Sequence, residues 1–125
     1  MCNNGNCLSK ILEKIILLQQ NRNTNINGCN KPFLGTDPTI DANTRPINLY
    51  CCCTNSIWTI PYNYNNTEGS SSLFRIESLN NNIATFRILI EEADGITATN
   101  DYFMIDLDYV SCIKCLNDVL ITNLE

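Results

Sequence analysis

Apolar residues recur at helical spacing in the first stretch of the chain. Leu8, Ile11, Leu12, Ile15, Ile16 and Leu18 fall on one side of a 3.6-residue repeat, while Lys10, Glu13, Lys14 and Gln20 lie mostly elsewhere. The spacing predicts an amphipathic helix, started by Asn6 or Ser9 as an N-cap. The Asn-rich residues 21–27 and Gly28 end it. Such a helix packs on its own domain or docks on a neighbouring subunit. Packing on its own domain is the plainer reading, and the flanking cysteines raise the docking alternative, because a thiol-bearing terminus can reach across a contact.

From residue 31 the repeat shortens to two. Residues 46–53 read as a strand with Ile47, Leu49, Cys51 and Cys53 on one face and Asn48, Tyr50 and Cys52 on the other. Residues 56–62 read as a second, with Trp58, Ile60 and Tyr62 sharing a face. A polar loop follows through Asn63, Asn65, Asn66, Gly69 and Ser70. Residues 73–78 and 83–91 form a hairpin pattern across Asn80, Asn81 and Asn82, with Phe86, Ile88 and Ile90 facing one way. Asp94 and Gly95 mark a turn. Residues 102–110 alternate, with Phe103, Ile105, Leu107 and Tyr109 inward and Met104, Asp106 and Asp108 outward. Residues 112–120 are a short helix or a last strand; Cys115, Leu116, Val119 and Leu120 suit a helical face. The expected fold is mainly β, an antiparallel β-sandwich with an N-terminal amphipathic helix and a short C-terminal helix or strand. Residues 1–30 form the cysteine-containing arm and helix, and residues 31–125 the sandwich, within one structural domain.

Composition agrees with a packed core. The chain has 125 residues, 44% of them apolar, and a domain of this size buries roughly two thirds of its unfolded surface. The net charge is −5 and no basic stripe is present, which argues against nucleic acid as a partner. The start lacks a charged n-region and a cleavage site, so no signal peptide is expected and synthesis in a cytoplasm is. The first apolar stretch is too short and too charged to span a bilayer, so no membrane partner is expected either.

Eight cysteines change this picture: Cys2, Cys7, Cys29, Cys51, Cys52, Cys53, Cys112 and Cys115, in a chain without histidine. Nucleophilic cysteine catalysis usually needs a histidine base, and mixed zinc sites need histidine as a ligand. Cross-linking, an all-thiolate metal site or a dithiol redox pair remain. The Cys112-Ile113-Lys114-Cys115 spacing fits half of a four-cysteine zinc site, with Cys51 and Cys53 as the other half only if they leave the strand. A redox pair would place its first thiol at a helix N-terminus in a thioredoxin-like fold, and no βαβ pattern precedes this one. In the triple, one face looks inward, so at least one of these thiols is expected to be inert core. Adjacent cysteines bridge only with strain. Asp106 and Asp108 share a strand face near Glu91, Glu92 and Asp94; an acid–base pair or calcium site is conceivable, and a solvated acidic face is the plainer reading. Asn65-Asn66-Thr67 matches a glycosylation acceptor, a weak match without a secretory route. No phosphate loop, nucleophile elbow or HExxH motif is present. No catalytic residue, cofactor or metal is assigned.

Several short strings belong together. Pro32-Phe33-Leu34-Gly35, Asn43-Thr44-Arg45-Pro46 with Leu49-Tyr50, Phe74-Arg75-Ile76-Glu77-Ser78 and Cys115-Leu116-Asn117-Asp118-Val119 occur in the order seen in spore coat proteins Y and Z and the related cysteine-rich exosporium proteins of endospore-forming bacteria. The chain resembles that family over nearly its whole length, its helix from Cys7 included. The resemblance implies a structural protein without enzymatic activity. It implies synthesis in the mother cell and assembly with itself and other coat proteins. The product would be an ordered, disulfide-stabilised layer of the outer coat or exosporium. All eight cysteines are cross-link candidates, and no particular bridge is implied.

Overall fold

A computed structural model describes residues 6–20 and 42–124, the first two helical positions by backbone alone. Helix α1 spans Asn6–Gln20. Among the described residues seven strands follow: β1 (Ile47–Cys51), β2 (Ile60–Tyr64), β3 (Thr67–Ser71), β4 (Leu73–Asn80), β5 (Ile83–Glu92), β6 (Gly95–Asp106) and β7 (Val110–Cys115). A 3-10 turn, Leu107–Tyr109, joins the last two. The pairings within the sheets are antiparallel. One sheet has five strands in the order β6-β5-β4-β1-β7, and β2 with β3 forms a second, smaller one. The two sheets make the expected mainly β, sandwich-like fold with one N-terminal helix.

The alternation of the central strands decides which face is filled. Ile47, Leu49, Phe74, Ile76, Phe86 and Ile88 are buried in one cluster. Leu12 and Ile15 of α1 close it from above, and Trp58, Ile60 and Tyr62 from the small-sheet side pack against it. Phe74, Phe86 and Phe103 stack in its middle, with the rings of Phe74 and Phe103 4.8 Å apart and nearly perpendicular. The helix therefore packs on its own sheet, the first of the two alternatives its pattern allowed.

The opposite face carries a second cluster. Residues 116–124 run across it as a strap, and Ile121 is buried with Leu89 and Ala98. The C-terminal region is thus the strand alternative, β7, followed by extended chain. Val119 bridges Thr44, and the Asn43 carboxamide donates to the Ile121 carbonyl and accepts from its N–H, both at 2.9 Å. Arg45 and Asp118 form a two-point ion pair at 2.7 and 3.0 Å with both side chains 2% exposed. Arg75 donates to Thr44 and ion-pairs Glu77. Three of the strings that carried the family resemblance thus converge on one buried polar network.

Gln19 mends a gap in the sheet. Ile47 pairs with Phe74, so the next position of that register would set Arg45 opposite Ile76. The Gln19 carboxamide sits between them instead. Its Nε2 donates to the Ile76 carbonyl (2.9 Å) and its Oε1 accepts from the Arg45 N–H (3.2 Å). Two buried backbone groups are satisfied by one side chain.

Asparagine closes the turns. Asn55, Asn65, Asn66 and Asn81 have φ between 51° and 64°, a region that asparagine tolerates better than most residues. Asn65 and Asn66 are the two central residues of the β2–β3 hairpin, so the expected polar loop there is a turn followed by a strand. Tyr62 lies opposite Gly69, and a Cβ on Gly69 would meet the tyrosine ring at 2.8 Å. Only glycine lets that ring lie flat over the partner strand.

Two other expectations change. Cys52 and Cys53 leave the strand and enter a turn. Tyr109 is 58% exposed instead of inward, because the 3-10 turn breaks the two-residue alternation after Asp106.

Candidate functional site

Among the described residues the free thiols gather at one end of the β1 and β7 pair. β1 stops at Cys51, and the chain reverses through Cys52, Cys53, Thr54 and Asn55. The reversal is tied by Cys51 N–H to the Ser56 carbonyl and Asn55 N–H to the Cys51 carbonyl, both 2.8 Å. Cys52 N–H reaches the Tyr109 carbonyl at 3.0 Å. Thr54 Oγ1 accepts from Ser56 N–H, and Asn55 supplies the left-handed φ of 56° that closes the turn. This framework exposes Cys52 and Cys53 with their sulfurs 3.8 Å apart. Cys51 is half-buried. None of the triple is core, contrary to the expectation for a continuous strand.

The turn sets the thiols apart electrically. The Cys51 thiol is held below the usual thiol range, chiefly because its sulfur accepts from the Cys53 backbone N–H and further from Thr54. Cys53 is pushed up, first by its hydrogen bond with Cys52 and then by the negative charge of Cys52 and Cys51. Cys51 therefore ionises more readily than its neighbour Cys53.

β7 supplies the fourth free thiol. Cys112 lies opposite Tyr50 and is exposed. Ser111 Oγ donates to the carbonyls of Tyr50 and Cys51, which ties this end of the strand pair together. Cys115 lies opposite Ile47 at the other end. It packs against the core and is disulfide-bonded. Residues three apart on a strand point to opposite faces, so Cys112 and Cys115 cannot bridge one another. The redox-pair reading fails on that geometry. The four-cysteine metal reading loses its CxxC half, and no group of three or more metal-ligating side chains occurs among the described residues.

Of the remaining cysteines, Cys7 lies in the first turn of α1, its side chain outside the described residues. Cys2 and Cys29 lie outside them altogether. Asp106 and Asp108 both accept from Asn82 Nδ2, at 2.9 and 2.8 Å. Asp106 also caps the Asp108 N–H, and Leu107 N–H donates to the Asn82 carbonyl. They hold the β6–β7 junction to the β4–β5 turn, a local structural task. No helix among the described residues is long and apolar enough to cross a membrane.

The turn was signalled in the sequence. Thr54, Asn55 and Ser56 directly after the triple are turn formers, and they outweigh the β-propensity of the preceding residues. The partnership of Arg45 with Asp118 carried no such signal, since 73 positions separate them.

A family model described as spore coat protein Z matches residues 1–102. No curated protein and no solved structure matches the chain.

Proposed function

The chain belongs to the spore coat protein Z family, and from that premise we propose that it builds a surface layer by assembling with copies of itself and with other coat proteins, then sealing the contacts with disulfides between chains. Membership supports a structural role in the spore coat and a place at the spore surface. The observation that carries the finer reading is the grouping of three exposed free thiols, Cys52, Cys53 and Cys112, at one end of the sheet. A thiol on a projecting turn can meet a second chain without unfolding the first.

Reversible contacts come first in this reading. The outer strands of the large sheet are β6 and β7, and strand edges pair readily with other chains. β6 also exposes Tyr102 and Met104, at 51% and 70%. A micromolar contact, worth about −8 kcal/mol, positions subunits while errors can still dissociate. A disulfide then makes separation depend on reduction instead of dilution. Synthesis in the mother cell with thiols reduced, followed by oxidation after assembly in the outer coat or exosporium, reconciles many cysteines with a reducing compartment.

Purified protein, oxidised and run on a denaturing gel without reductant, should give large species that collapse with reductant to the 14.1 kDa chain. The combined Cys52→Ser, Cys53→Ser, Cys112→Ser variant should lose most of the ladder. A wild-type monomer in both lanes sinks the cross-linking reading.

A further inference from the structure

The turn of residues 51–53 brings two sulfurs into van der Waals contact before any oxidation. Cys52 Sγ and Cys53 Sγ are 3.8 Å apart, and a bond requires about 2.05 Å. Their backbone is not free to separate them, because the turn is tied at Cys51, Cys52, Asn55 and Ser56. Both are exposed to oxidant and to other chains.

We propose that this turn is a thiol–disulfide exchange centre: Cys52 and Cys53 close to a disulfide between adjacent residues, which then passes to Cys112 of a second copy as the bond between chains. The proposal rests on the cross-linking reading above and says how the bond is made.

In the first step the two thiols give up two protons and two electrons to an oxidant of the peroxide class. One S–S bond forms, the O–O bond breaks, and the peroxide leaves as water and an alcohol or as two waters. In the second step a Cys112 thiolate of the second copy attacks one sulfur of the bridge. The S–S bond between chains forms as the S–S bond within the turn breaks. The expelled sulfur leaves as a thiolate and takes a proton from water. No electrons leave the protein in this step.

Strain drives the transfer. Neighbouring cysteines close a small ring through their peptide bond, and distorted disulfides are more readily reduced. A bridge between chains is free of that ring. Electrostatics favours the closure as well: a Cys53 thiolate is disfavoured first by the hydrogen bond with Cys52 and then by the negative charge of Cys52 and Cys51, and a neutral disulfide carries none of that charge. The turn thus collects oxidising equivalents one pair at a time and releases them only where another chain presents a thiol.

The test uses the full reduced chain at low concentration, one equivalent of hydrogen peroxide, timed alkylation and peptide mass mapping. The peptide holding Cys52 and Cys53 should lose two hydrogens and resist alkylation in the monomer fraction before linked species appear. Cys52→Ser and Cys53→Ser should each slow formation of linked chains about tenfold. Cys112→Ser should accumulate the bridged monomer. Linking at the wild-type rate in both Cys52→Ser and Cys53→Ser overturns the exchange centre and leaves cross-linking intact. A bridged monomer that never yields linked wild-type chains overturns cross-linking, and the transfer with it.

Discussion

At the Ile47 end of the β1 and β7 pair, polar groups are buried and satisfied: Arg45 meets Asp118, Asn43 meets Ile121, and Cys115 is already disulfide-bonded. At the Cys51 end, a few residues along the same strands, Cys51 and Cys112 are free thiols, and Cys52 and Cys53 project from the turn. One end spends its polar groups on holding the chain; the other leaves them reactive. The difference follows from what covers each end. The strap of residues 116–124 removes water from the first, so an unpaired group there would be costly. The strap does not reach the second, where Cys52, Cys53 and Cys112 are exposed and Cys51 is half-buried, so thiols there stay available.

The comparison breaks most visibly at the buried ion pair. Asp118→Ala removes the two-point carboxylate partner of Arg45 from a dry site and should cost about 3–5 kcal/mol of stability in urea unfolding; a loss below ~1 kcal/mol would mean water reaches that end as well. Gln19→Ala should cost about 1–3 kcal/mol, because it strips partners from two buried backbone groups. Asn55→Val places a β-branched residue at a φ of 56° and should cost about 1–2 kcal/mol, whereas Asn55→Gly should not. Cys112→Ser and Cys52→Ser should leave the urea midpoint unchanged while slowing the formation of linked chains. A matching fall in stability would show that the exposed end also supports the fold.

The finest distinction lies within the turn. A thiol reacts as its thiolate, and the thiolate fraction rises as pH passes the pKa. Cys51 is lowered and Cys53 raised, so iodoacetamide should modify Cys51 at a lower pH than Cys53. Site-resolved mass spectrometry across pH reads the order directly, and the reverse order would show that the Cys53 N–H does not point at the Cys51 sulfur.

Much of the fold was legible because local pattern and burial agree. The helix and the β4–β5 hairpin follow from their apolar spacing and Asn turn, and Phe86 and Ile88 point where the alternation put them. β3 was not legible: Thr-Glu-Gly-Ser-Ser has no apolar alternation, and it is a strand because Tyr62 covers Gly69 and Ser71 bonds the Leu89 carbonyl. The early half of β6 was missed for a related reason. Thr97, Ala98 and Thr99 read as polar or small, yet Ala98 is buried against Ile121 of the strap and Thr99 is buried with its hydroxyl donating to the Ile88 carbonyl. In the triple cysteine, strand propensity carries the expectation two residues too far, to Cys53, although the turn formers Thr54 and Asn55 follow directly.

By itself the sequence determined the family, the mainly β class and the chemistry in hand: eight thiols and no histidine. These depend on residue identity and on spacing over a few positions. Only the tertiary structure decided which thiols are spent and which are free. Cys112 and Cys115 are equivalent in a sequence motif, but a strand turns them to opposite faces and only Cys115 packs against the core. The same holds for Arg45, whose buried charge is met by Asp118 from a strap 73 residues away. Burial and long-range partnership are properties of the packed chain, and they divide one set of cysteines into structural and reactive members.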